Sequence, residues 1–202
     1  MTDKIKVWDP AVRLFHWSLA ISFTISYVAS DDDVRLHANS GYVVFGLLLF
    51  RILWGFVGGR FARFGEFVRG PKATLNYLNS LLIRKATRYV GHNPAGGWMI
   101  VLLLACLFNT SWTGLMIYAQ EGKGPLAVSA LQFISGDKQH DKSDVDEQNR
   151  EDDPIYKVHN FFANFTLLLV FIHISGVVVA SRMHRENLVK AMITGSKPQH
   201  IE

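Results

Sequence analysis

The chain has 202 residues, about half of them hydrophobic, with 21 Lys and Arg against 17 Asp and Glu, eight His and one Cys. A single cysteine excludes an internal disulfide, and without C-x-x-C-H there is no covalent c-type haem. The isoelectric point near 9.2 does not signal nucleic acid, because the basic residues flank long apolar runs instead of forming one patch, so no nucleic-acid partner is expected.

The first apolar run spans about residues 12–29, between Arg13 and the Asp31-Asp32-Asp33 cluster. No small-residue cleavage site follows it, so it reads as a retained membrane helix and not a signal peptide. The second spans about 36–57 and carries Arg51 in its last third. A basic loop follows, in which Pro71 opens a stretch with Leu75, Leu78, Leu81 and Leu82 at helical spacing. This predicts a short helix lying on the membrane surface. The turn Gly91-His92-Asn93-Pro94 leads into the third run, about 98–119. A long acidic loop, about 120–157, separates it from the fourth run, about 158–181. Its part 125–134 is apolar enough to pack on the membrane surface, and 136–153 is expected to be mobile.

Each run is close to the roughly 17–25 residues that a spanning helix needs. Tyr and Trp near the run ends suit interfacial belts. The expected fold is all-α: an integral membrane four-helix bundle, residues 1–202 forming one membrane domain, with a short interfacial helix between helices 2 and 3. The N-terminus, the second loop and the tail hold 14 Lys and Arg; the first and third loops hold 6, against 12 acidic residues. The positive-inside rule then places both termini and the second loop in the cytoplasm. The high isoelectric point follows from charge facing lipid on one side.

Four histidines fall within the runs. His159 and His173 are fourteen residues apart, which puts them on one helical face about 21 Å apart along the axis. Depth pairs His37 with His159 on the outer side and His16 with His173 on the inner side. Histidines inside a membrane are costly and mark function or interhelical hydrogen bonds. Paired in this way they suit bis-imidazole ligation of two b-type haems, which leaves no open coordination position and favours electron transfer. Zinc is disfavoured, since no Cys or carboxylate lies at matching depth. The inner pair is the less well matched in depth, because His16 sits only three residues past Arg13 while His173 is nine from Arg182. Arg35 and Lys157 are placed to meet the propionates of an outer haem, and Arg13 and Arg51 those of an inner one. Gly41, Gly46, Gly114 and Gly176 could leave room for porphyrin planes or for helix packing. Asn109 and Asn164 read as interhelical hydrogen bonds.

The chain resembles the bacterial di-haem b-type cytochromes of the hydrogenase cytochrome-b type, a four-helix family that includes membrane subunits of some formate dehydrogenases. The matching residues are Val7-Trp8-Asp9, Arg13-Leu14-Phe15-His16-Trp17, Leu36-His37 with Gly41, Arg51 to Phe56, Gly91 to Pro94, Thr113-Gly114, His159 with His173, and Arg185 to Met192. The resemblance implies the same four axial histidines and quinone chemistry near the cytoplasmic-side haem. His92, Asn93 and Arg51 are the polar groups at that end, His92 as a possible proton acceptor. The long acidic loop departs from a minimal member.

The expected function is electron transfer between the quinone pool and a periplasmic redox partner, a c-type cytochrome or a hydrogenase-like enzyme. A superoxide:quinone oxidoreductase is the alternative. The negative outer face repels superoxide and steers a cationic protein, which favours the partner. A non-redox haem-binding scaffold is the third reading and predicts no quinol-dependent haem reduction.

Overall fold

The computed structural model describes residues 4–83, 85–124, 127 and 153–198. Four long helices carry the apolar runs: α1 (Pro10–Val28), α2 (Val34–Val57), α5 (Pro94–Gln120) and α6 (Pro154–Met183). Between and after them lie α3 (Phe64–Phe67), α4 (Pro71–Leu82) and α7 (Leu188–Thr194), with strands β1 (Lys4–Lys6) and β2 (Ser196–Pro198). The long helices begin two to four residues before the hydropathic runs, because capping residues set their starts. Asp9 Oδ1 accepts from Val12 N at 2.8 Å, Asp33 Oδ1 from Leu36 N at 3.0 Å, Asn93 Oδ1 from Gly96 N at 2.7 Å and Asp153 Oδ1 from Ile155 N at 2.8 Å. In three of the four a proline occupies the first helical position, where its missing N–H costs nothing.

Among the described residues, α2, α5 and α6 are long and apolar enough to cross a membrane. The 19-residue α1 is outside that set; Arg13, His16, Ser18, Ser22, Thr24 and Ser26 dilute its apolar run. Leu14, Leu53, Phe56 and Phe171 are more than half exposed, as expected of side chains that meet lipid and not a water-excluding core. The surface-packing stretch 125–134 and the mobile stretch 136–153 expected in the acidic loop lie outside the described residues, apart from Ala127 and Asp153.

The chain divides into two compact units. The first takes in Met1–Ala20, Leu47–Leu104 and Leu168–Glu202, and so contains His16, Arg51, His92 and His173. Here β1 pairs antiparallel with β2, Ile5 opposite Lys197, and the amides of Val7 and Trp8 donate to the Gly195 carbonyl at 2.8 and 3.1 Å. Gly195 ends α7 in the left-handed region at φ +81°, which glycine alone adopts without strain. Glu186 is buried and pairs with Arg88 and with Lys197 Nζ at 3.6 Å. Arg88 also donates to the Pro198 carbonyl at 2.9 Å. In α4, Tyr77 turns inward against Tyr89, while Leu75, Leu78 and Leu82 are exposed along the predicted apolar face. The loop carrying α3 packs closely on the start of α5: a Cβ at Gly97 would lie 2.5 Å from the Phe67 carbonyl oxygen. Neither β1–β2 nor α3 was expected from hydropathy.

The second unit takes in Ile21–Gly46 and Ala105–Leu167. Tyr27 Oη donates to Asn164 Oδ1 at 2.8 Å, joining α1 and α6 as expected for Asn164. Asn109 departs from expectation: its Nδ2 donates to the Ala105 carbonyl of its own helix at 2.8 Å, a local bond that competes with interhelical pairing.

The Glu186 triad supplies the first test. Removing one member of a buried ion cluster leaves uncompensated charge and costs about 3 kcal/mol or more. Glu186→Ala should therefore lower the thermal unfolding midpoint and expose the C-terminal segment to limited proteolysis, whereas Lys190→Ala, on the exposed side of α7, should do neither.

Candidate cofactor sites

In the second unit His37 of α2 faces His159 of α6, with ring centres 6.0 Å apart and ring planes at 74°. Two imidazoles bound to opposite sides of one metal, each nitrogen about 2 Å from it, would have centres about 6 Å apart. The remaining ring nitrogens are already committed. His37 Nδ1 lies 2.8 Å from the Ser26 carbonyl oxygen and His159 Nδ1 lies 2.9 Å from that of Thr110. A carbonyl only accepts, so both Nδ1 atoms carry the proton and both Nε2 lone pairs are free for a metal. The Ser26 carbonyl is one of the last four of α1, which have no partner within the helix. The Thr110 bond requires His159 to approach α5 closely, and Gly114 permits it: a Cβ there would lie 3.0 Å from His159 Cε1. Thr113 Oγ1 is 3.2 Å from the same Nδ1. Four residues on from His37, a Cβ on Gly41 would meet nothing within 4 Å, so α2 has open space beside the His37 pair. Free Nε2 atoms, metal-compatible spacing and that open space fit a haem.

In the first unit His16 of α1 and His173 of α6 lie within electrostatic reach of one another. His16 Nδ1 is buried and has no partner among the described residues. Next to this pair lies the turn before α5. His92 packs at a tilt of 51° against both Trp8, at 4.4 Å, and Phe67, at 4.7 Å between ring centres, with its Nδ1 buried and unpartnered. Burial pushes the His92 imidazole down to about 3, and the charges of Arg51, Lys197 and His173 act in the same direction. It is therefore neutral at physiological pH, and suits a hydrogen bond to a bound oxygen better than retention of a proton.

Arg51 is only 3% exposed. Its Nη2 donates to the Ala62 carbonyl at 3.1 Å and its guanidinium lies 4.8 Å from the centre of the Phe64 ring. Asp9 acts on it electrostatically, and its Nη1 is buried without a partner. A cavity of about 160 Å³ opens on this turn, lined by Arg60, Glu66, Phe67, Arg69, Tyr89 and His92.

The other predicted site residues fall as follows. Arg13 donates from Nη1 to the Ile193 carbonyl and so ties α1 to the end of α7. Asn93 spends its side-chain oxygen on capping α5. Arg35 is exposed in the first turn of α2. Lys157 lies in the first turn of α6, two residues before His159. The contribution of α5 was not foreseen: it carries no candidate ligand, yet its Thr110 carbonyl orients one. Among the described residues no three His, Cys, Asp or Glu side chains converge as a bare metal site would require.

The sequence pattern of the prokaryotic cytochrome b561 family matches residues 7–195. The chain belongs to that family. Two curated relatives are described as probable Ni/Fe-hydrogenase B-type cytochrome subunits. The one from Rhizobium leguminosarum bv. viciae is 23% identical over 224 aligned positions, covering 96% of this chain and 89% of the relative. The one from Rhodobacter capsulatus is also 23% identical, covering 96% of this chain and 81% of the relative. No solved structure matches. The protein is thus a bacterial b-type cytochrome of the hydrogenase cytochrome-b type, a membrane protein that binds haem b and transfers electrons.

The buried His92 gives a pH test. Its folded value, about 3, lies below an unfolded value of about 6.5. The fold favours the neutral ring, so the associated stability is complete above about 6.5 and is lost as pH falls towards 3. His92→Phe keeps an aromatic ring between Trp8 and Phe67 but not the titration. Its thermal midpoint should fall less steeply than that of the parent protein between pH 6.5 and pH 4.

Proposed function

We propose that the protein is a di-haem electron conduit linking the quinone pool to a periplasmic redox enzyme. The observation that carries this reading is the His37–His159 pair, whose rings stand at metal-ligand spacing with both Nδ1 atoms bound to main-chain carbonyls. On this reading α1 is the fourth spanning helix, and both termini face the cytoplasm of the bacterial inner membrane. The distribution of Lys and Arg supports that orientation. His37 and His159 hold one haem b near the outer face, and His16 and His173 hold the other near the inner face. Haem b supplies a reversible one-electron couple, and two imidazole ligands leave no position for oxygen to bind.

The protein's own groups do the remaining work. Arg35 and Lys157 lie beside the outer pair, where their charges offset propionates. Arg51, with its unpartnered Nη1, and Arg13 serve the inner pair. The cavity beside His92 is smaller than the roughly 300 Å³ at which ordinary small-molecule pockets begin. It would take the ring of a quinone and leave the isoprenoid tail in lipid. His92 would then hydrogen-bond a quinone oxygen, with Asn93 supporting the turn that presents it.

The partner is most simply a hydrogenase-like enzyme, as the names of the two relatives suggest for those proteins. A c-type cytochrome is the other candidate. The 12 acidic residues of the first and third loops favour a cationic docking face.

Two measurements test the proposal. His173→Ala should bind one haem per chain and keep the outer one; retention of two would overturn the ligand assignment. Stopped-flow mixing of the oxidised protein with quinol should reduce haem. Mixing with superoxide should give only a slow reaction, and reduction by superoxide near the diffusion limit would instead establish the oxidase alternative.

A further inference from the structure

The two histidine pairs are held differently. At His37 and His159 each Nδ1–H is donated to a main-chain carbonyl. At His16 the corresponding nitrogen is buried with no partner, and His173 makes no side-chain hydrogen bond among the described residues. A hydrogen bond from the far nitrogen draws the proton away from the ring and makes the near nitrogen the stronger electron donor. Stronger donation stabilises the oxidised metal, and hydrogen bonding around ligands is one of the protein's levers on haem potential.

We infer that these bonds order the two redox centres: the His37/His159 site is the low-potential one and the His16/His173 site the high-potential one. This rests on the di-haem reading above. With haem held at both pairs, the first electron added to the oxidised protein would settle at the His16/His173 site and the second at the His37/His159 site.

The ordering is testable without any turnover assay. Potentiometric titration of the purified holoprotein, followed by haem absorbance, should resolve two one-electron waves. In His173→Ala the surviving haem should titrate with the lower wave. Gly114→Ala provides a second, independent variant. Alanine is favoured over glycine within a helix, yet its Cβ would lie 3.0 Å from His159 Cε1 and 3.4 Å from Nδ1. The ring must give by a few tenths of an ångström, which weakens its bond to the Thr110 carbonyl, so the lower wave should move to higher potential while the upper wave stays in place. Electron paramagnetic resonance should show that both low-spin centres persist in Gly114→Ala. Fewer than two haems in the parent protein would overturn the di-haem reading and the order with it. Two haems with the His173→Ala survivor on the upper wave would overturn the order alone. A lower wave that falls or stays still in Gly114→Ala would overturn the role of the Thr110 bond.

Discussion

The organising constraint is the commitment of imidazole Nδ1 to main-chain carbonyls. A histidine side chain has two nitrogens, and a metal needs one of them free and aimed. In water either nitrogen can carry the proton. Between Ser26 and Thr110 that freedom is removed, because a carbonyl can only accept and so the proton stays on Nδ1. Both bonds depend on helix packing. One uses a carbonyl left over at the end of α1, and the other uses a mid-helix carbonyl reached across a glycine. The helices of this unit thus do more than span a distance, since they determine which atom of each histidine can react.

The first unit is held by a different kind of interaction. Its two chain ends are drawn together by β1–β2, by the Gly195 carbonyl and by the Arg88–Glu186–Lys197 cluster. Buried charge of this kind contributes less to stability than to the specificity of an arrangement. The arrangement here encloses His92: Trp8 from the N-terminal segment and Phe67 from the loop between α2 and α4 form its walls. The neutral state of His92 therefore depends on residues distant in sequence, and so does any hydrogen bond it offers to a ligand.

Much of the fold was legible in hydropathy, because long apolar runs have few other uses. The four runs and the amphipathic α4 all appear as helices. Their starts were misplaced by two to four residues because the apolar pattern was read and the Asp-Pro and Asn-Pro pairs at 9–10, 93–94 and 153–154 were not. The proximity of His37 and His159 was legible because two histidines at matching depth are rare and costly. The partners of their Nδ1 atoms were not legible, since a main-chain carbonyl leaves no mark in a sequence; Gly114 was noticed only as space. Asn109 was misread because an asparagine within an apolar helix can satisfy itself on its own backbone. The turn at Gly91–Pro94 reads as exposed, and burial of His92 becomes visible only when Trp8 and Phe67 close on it.

The carbonyl that holds His37 belongs to Ser26, and α1 ends at Val28. Asp33, five residues further on, caps α2 and so sets where His37 begins its turn. His37 and its acceptor are therefore coupled through a short link between two helix ends. Adding or removing one residue there would rotate the carbonyl away from the ring without altering any histidine. The length of the link between α1 and α2 thus decides which nitrogen of His37 keeps its proton.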